Sequence, residues 1–112
     1  MEKALQWVER KGPSDVRIDL EGFDSPQSFH NKTTDEMIQP DISFKDGRGG
    51  KFYTEIALKE DNPQDLITKW KFLSLMASMK KGKLFLLAPK GHKMFATNLV
   101  KRYNINALVY SI

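Results

Sequence analysis

"KLFLLAP" (83–89) constrains this chain more than any other stretch. A short, continuous apolar run of this kind is stable as a central strand whose two faces are both covered. The flanking segments supply cover. The stretch "NPQDLITKWKFLSLMASMKK" (62–81) places Leu66, Trp70, Leu73 and Ala77 on one stripe, with Phe72, Met76 and Met79 beside it. That spacing predicts a helix starting at Asn62-Pro63 and stopping before Gly82. "HKMFATNLVKRY" (92–103) brings Phe95, Ala96, Leu99, Val100 and Tyr103 to helical spacing, and "ALVYSI" (107–112) reads as a last strand.

Upstream of residue 60 the periodicity changes. "EKALQWVERK" (2–11) carries Ala4, Leu5 and Val8 on one helical stripe before the Gly12-Pro13 stop. "DVRIDLEGF" (15–23) alternates Val16, Ile18 and Leu20 with charged residues, the period of a half-buried strand. Residues 24–36 are polar and read as a surface loop, and "MIQPDISF" (37–44) with "KFYTEIALK" (51–59) reads as a hairpin. The order α-β-β-β-α-β-α-β, an antiparallel meander followed by two helical crossovers, predicts an α/β fold with a three-layer mixed sheet. At 112 residues the whole chain, 1–112, is expected to be one domain.

Composition excludes several chemistries. There is no cysteine, so disulfides, thiolate metal sites and cysteine nucleophiles are absent. No stretch approaches the roughly 20 apolar residues of a membrane span, and the N-terminus lacks a basic region followed by an apolar run. A cytoplasmic protein is expected, with the sequon Asn31-Lys32-Thr33 incidental. A net charge of +4 suits a nucleic-acid partner and is equally ordinary for a protein without one.

The hairpin carries the candidate chemistry. With Gly47-Arg48-Gly49 as a three-residue loop, facing residues have numbers that sum to 96. Ser43 then meets Tyr53, Phe44 meets Phe52, and Asp41 lands opposite Glu55. Cβ atoms of such partners are about 4.5–5.5 Å apart, and like charges there repel. A cation or a shared proton relieves that repulsion, and hard carboxylate oxygens suit Mg²⁺ or Mn²⁺. A loop one residue longer or shorter separates the acids onto opposite faces. The bland reading is a hairpin whose solvated face happens to carry both acids. "GRGG" joins two strands rather than opening a helix, so it reads as a turn and not as a phosphate cradle.

Pro40-Asp41, then a strand bearing Glu55, then a helix, in this element order, resembles the PD-(D/E)XK nuclease-like superfamily, which includes restriction endonucleases and Holliday-junction resolvases. The resemblance implies a restriction endonuclease-like fold, DNA as partner, and Mg²⁺ or Mn²⁺ held by Asp41 and Glu55. Glu9, on the first helix, resembles an additional acidic ligand of some members, and is otherwise a solvated helix residue. The motif lysine belongs at position 57, where this chain has Ala57. Two lysines could substitute in orienting water and stabilising phosphate charge. Lys59 shares the strand face of Glu55 but lies roughly 13 Å along the backbone. Lys69 falls between the apolar stripes of its helix, towards the sheet, where it needs an anionic partner or a route to water.

The expected function is metal-dependent hydrolysis of DNA phosphodiesters. The alternative is a catalytically inactive nuclease-fold module serving nucleic-acid binding or assembly, and Ala57 favours it. Lys80, Lys81, Lys83, Lys90, Lys93, Lys101 and Arg102 could form a phosphate-contacting rim or simply a solvated surface. The apolar "FLSLMASM" segment implies either packing against the final helix or a homodimer contact. Trp7 and Trp70 read as core, and His30 and His92 have no second ligand nearby in sequence.

Overall fold

The computed structural model describes residues 1–33 and 35–112. Its elements run α1 (Glu2–Glu9), β1 (Ser14–Ile18), β2 (Phe29–Asn31), β3 (Glu36–Ile38), β4 (Ile42–Lys45), β5 (Lys51–Ile56), α2 (Gln64–Met79), β6 (Leu84–Ala88), α3 (Lys93–Arg102) and β7 (Ala107–Ser111). Five strands form one sheet in the order β1-β4-β5-β6-β7, and β2 pairs with β3 in a separate two-stranded sheet. The β1-β4 and β4-β5 pairs are antiparallel, whereas β5-β6 and β6-β7 are parallel. This is the mixed α/β sheet expected from the meander followed by crossovers.

Both crossovers step the same way across the sheet, so α2 and α3 fall on one face, as a uniform crossover hand requires. Tyr53, Ala57, Leu84, Leu86 and Ala88 meet Ile67, Trp70, Leu73, Ala77, Ala96 and Leu99 there. The other face belongs to α1, whose Ala4 and Val8 pack on Ile18, Ile42, Phe44, Phe85 and Leu87. All five residues of β6 are buried, which is why that strand is apolar without alternation. Trp70 is fully buried, and Trp7 packs edge-on against Phe85 at 5.0 Å between centroids.

Four local expectations are corrected. The first strand ends at Ile18 rather than near Phe23, and Leu20 is exposed. The Ile18 N–H donates to the Asp24 carbonyl and Leu20 N–H to that of Ile18, which folds the chain back instead of extending it. The segment 24–36 contains β2 and leads into β3, with Phe29 opposite Ile38. Phe29 sets its ring against Tyr53 at 5.9 Å and Phe72 at 5.6 Å, covering apolar surface that α2 leaves beyond the main sheet. "MIQPDISF" is split: β3 ends at Ile38, and β4 begins after Pro40, which has no N–H to extend a ladder. The second hairpin strand ends at Ile56, so 57–59 lie beyond it.

Candidate functional site

The β4–β5 register is the one the loop length implies. Ser43 faces Tyr53, Phe44 faces Phe52 and Lys45 faces Lys51, each pair summing to 96. The turn is held by Asp46, whose N–H donates to the Gly50 carbonyl and whose Oδ1 accepts from the N–H groups of Arg48 at 2.9 Å and Gly50 at 2.8 Å. Gly49 takes the left-handed conformation with φ +84°, the step a three-residue loop needs and a side chain resists. One register step beyond the ladder, Asp41 lies opposite Glu55.

The two acids are joined reciprocally. Asp41 N–H donates to Glu55 Oε2 at 2.8 Å, and Ile56 N–H donates to Asp41 Oδ2 at 2.9 Å. The carboxylates therefore finish the ladder where Pro40 interrupts it. Glu55 points to the α2 side of the sheet and is only 2% exposed. Asp41 is half-buried.

Lys69 completes the cluster. Its Nζ lies 2.7 Å from Glu55 Oε1, with the Lys69 side chain 31% exposed. Helical phase explains the contact. Ile67, Trp70, Leu73, Ser74 and Ala77 are the buried face of α2, and Lys69 flanks that face one turn from Leu73, over the end of β5. Burial and the neighbouring Asp41 carboxylate push the Glu55 carboxyl up from its ordinary 4.5, while Lys69 and the Asp41 N–H pull it partway back, leaving it at about 8.

The other candidates stand apart. Because β5 ends at Ile56, Lys59 does not continue the Glu55 face. It is exposed, and its backbone N–H donates to His92 Nδ1 at 2.8 Å. His92 is the N-cap residue of α3, so this bond ties the segment after β5 to the start of that helix. No short-range sequence pattern pairs His92 with Lys59. Glu9 is exposed at the end of α1, on the face of the sheet opposite Glu55. The fold does not bring it to the acids. Ala57, where the motif lysine would stand, is fully buried in the α2–α3 core, its N–H donating to the Leu87 carbonyl at 2.8 Å.

Two carboxylates and an amine are the chemistry available. Among the described residues, no group of three or more His, Cys, Asp or Glu side chains converges to hold a metal ion. An ion at Asp41 and Glu55 would rest on two protein carboxylates and fill its remaining positions with water and substrate oxygens, a usual arrangement for Mg²⁺. Burial is the first cause of the raised Glu55 carboxyl and the Asp41 charge the second, and a divalent cation would offset the latter while competing with Lys69 and the Asp41 N–H for the Glu55 oxygens. No helix among the described residues is long and apolar enough to cross a membrane. Neither a family model, nor a curated protein, nor a solved structure matches this chain.

Proposed function

We propose that the chain is a divergent nuclease-like domain of the PD-(D/E)XK type, with a restriction endonuclease-like core, that hydrolyses DNA phosphodiesters with Mg²⁺ or Mn²⁺ at Asp41 and Glu55. The observation that carries this reading is the Lys69 amine 2.7 Å from Glu55, on the carboxylate that faces Asp41. Acid, acid and amine arrive from β5, the residue preceding β4, and α2, so the lysine lost from position 57 is replaced from the helix above. Asp41 and Glu55 would supply the oxygens for the ion. When bound, a divalent ion supplies Lewis acidity and a water of lowered pKa. Lys69 keeps two further N–H donors while one serves Glu55, and these can take a phosphate oxygen as negative charge builds on it.

The test uses Asp41→Asn, which removes the charge but keeps a carbonyl oxygen to accept the Ile56 N–H. Calorimetric titration with Mn²⁺ should show binding by the native chain and at least tenfold weaker binding by Asp41→Asn at unchanged melting temperature. Cleavage of a labelled duplex should need the metal and be lost in the variant. Equal Mn²⁺ affinity in both proteins sinks the reading.

A second reading, the non-catalytic module for nucleic-acid binding or assembly, is favoured by the engagement of both Glu55 oxygens. In it Lys69 is the standing counter-ion, and Ala57 marks a site closed over by core packing. Mn²⁺ would then be ignored by the native chain, and the Glu55–Lys69 pair would matter to stability alone.

A further inference from the structure

At the other end of β5 the fold gathers positive charge. Lys45 ends β4 and faces Lys51 at the start of β5, so two like charges stand directly across the ladder. Lys80, the residue capping the C-terminus of α2, joins them around a cleft of about 360 Å³, with Gln27, Phe29 and Tyr53 in its wall. That volume is at the lower end of small-ligand sites, which run roughly 300–1,000 Å³.

The arrangement is built rather than incidental to long side chains. Lys51 N–H donates to the Lys80 carbonyl at 3.1 Å, and Tyr53 N–H donates to that of Lys83 at 3.1 Å, so the end of α2 and the start of β5 are fixed together. Lys51 Nζ is steered by Gln27 Oε1 at 3.2 Å and lies 5.7 Å from the centre of the Tyr53 ring. Arg17 stands near the same group of cations. Its partner Asp15 is shared, with Oδ1 3.3 Å from Arg17 Nε and Oδ2 3.5 Å from Lys45 Nζ. The other nearby carboxylate, Asp46, has one oxygen occupied by turn N–H groups. Four cations thus answer to two acids, and among the described residues neither acid makes an ion pair with Lys51 or Lys80, Asp15 acting on Lys51 only at longer range. The Lys51 amine is held below its ordinary value by burial first, then by Lys45, Arg17 and Lys80. A cation so crowded gains from any anion that enters.

We infer that this cleft binds a phosphate group, with Lys51 and Lys80 as its principal ligands and Lys45 supporting them. Three ammonium groups with a hydrogen-bonding amide and an aromatic wall suit a phosphoryl oxyanion carried either by a small phosphorylated molecule or by a nucleic-acid backbone. The inference is independent of the metal-dependent hydrolysis proposed above, because it uses no residue of the Asp41–Glu55–Lys69 cluster.

The whole chain, in buffer containing EDTA, is titrated calorimetrically with pyrophosphate, and by fluorescence anisotropy with a labelled single-stranded oligodeoxynucleotide. Lys51→Gln and Lys80→Gln should each weaken pyrophosphate binding at least fivefold. Lys3→Gln, on the opposite face of the sheet, should leave it unchanged. Lys51→Gln relieves like-charge crowding, so its melting temperature should hold or rise, which separates lost binding from lost folding. Oligonucleotide binding that falls in step assigns the phosphate to a nucleic-acid backbone, whereas a fall with pyrophosphate alone assigns it to a small phosphorylated ligand. Either supports the site. Failure of pyrophosphate to bind the native chain, or an equal loss in Lys3→Gln, overturns it.

Discussion

Glu55 is the residue on which most of the chemistry turns. Its carboxyl is raised in the folded chain, so folding favours the protonated form. The stabilising contribution is fully present below the ordinary value of 4.5, and it is lost as pH rises through about 8. Urea unfolding of the native chain should therefore show a midpoint that declines across that window, and Glu55→Gln should flatten the decline. If the acids hold a metal as proposed, Mn²⁺ should restore more stability at pH 9 than at pH 6, because it would compete with the proton for the same oxygens. Lys69→Met removes the counter-ion from a buried carboxylate. It should cost about 1–3 kcal/mol at pH 9, from the loss of a partner for a buried acceptor, and less at pH 6 where Glu55 holds a proton. Guanidinium titrations at both pH values check the difference. Much of this cluster was legible beforehand. Loop length alone sets Asp41 against Glu55, and helical phase puts Lys69 towards the sheet. The choice between Lys59 and Lys69 was not legible, because it depends on β5 ending at Ile56, and no residue from 57 to 59 signals that end. The same arithmetic sets Lys45 against Lys51, but Lys80 and Gln27 reach them only through tertiary packing, which the sequence does not signal.

At the scale of elements, helix ends repay attention. After α2 the left-handed position is taken not by Gly82 but by Lys81, with φ +61°. The Lys81 N–H donates to the Ser78 carbonyl and the Gly82 N–H to that of Ala77, the paired bonds of a Schellman ending. Gly82 is needed for a different reason. A Cβ there would lie 1.7 Å from the Lys51 carbonyl oxygen, where the helix end presses on the first residue of β5. Gly82→Ala should thus destabilise by about 3 kcal/mol or prevent folding, at the upper end of overpacking costs. Lys81→Gly should stabilise by up to about 1 kcal/mol by removing left-handed strain from a side-chain-bearing residue. Thermal melts of the two variants, moving in opposite directions, check both. The β2–β3 hairpin escaped sequence reading because "FHNKTTDEMI" has no apolar alternation. Its value lies in two residues nine apart, Phe29 and Ile38, which become neighbours only when the chain turns back.

For the molecule as a whole, the mixed α/β character was the most legible property, since helix and strand periods alternate cleanly after residue 60. The face taken by α1 was not, because its stripe of Ala4, Leu5 and Val8 fits either side of a sheet. Protection from hydrogen exchange should follow the layering. Amides of β6, paired on both sides and covered by core on both faces, should exchange slowest. Those of β2 and β3, a two-stranded sheet outside the main one, should exchange first. Exchange mass spectrometry reads both, and a β6 faster than β2–β3 contradicts the layering described. The reciprocal bonds of Asp41 and Glu55 have one more consequence. Past Pro40, the last two bonds between the segments that carry these acids are accepted by side-chain carboxylates, not by backbone carbonyls. The end of this ladder is therefore set by side chains rather than by backbone, and the Asp41 amide proton, bonded to Glu55, should shift in an NMR titration as that carboxyl loses its proton.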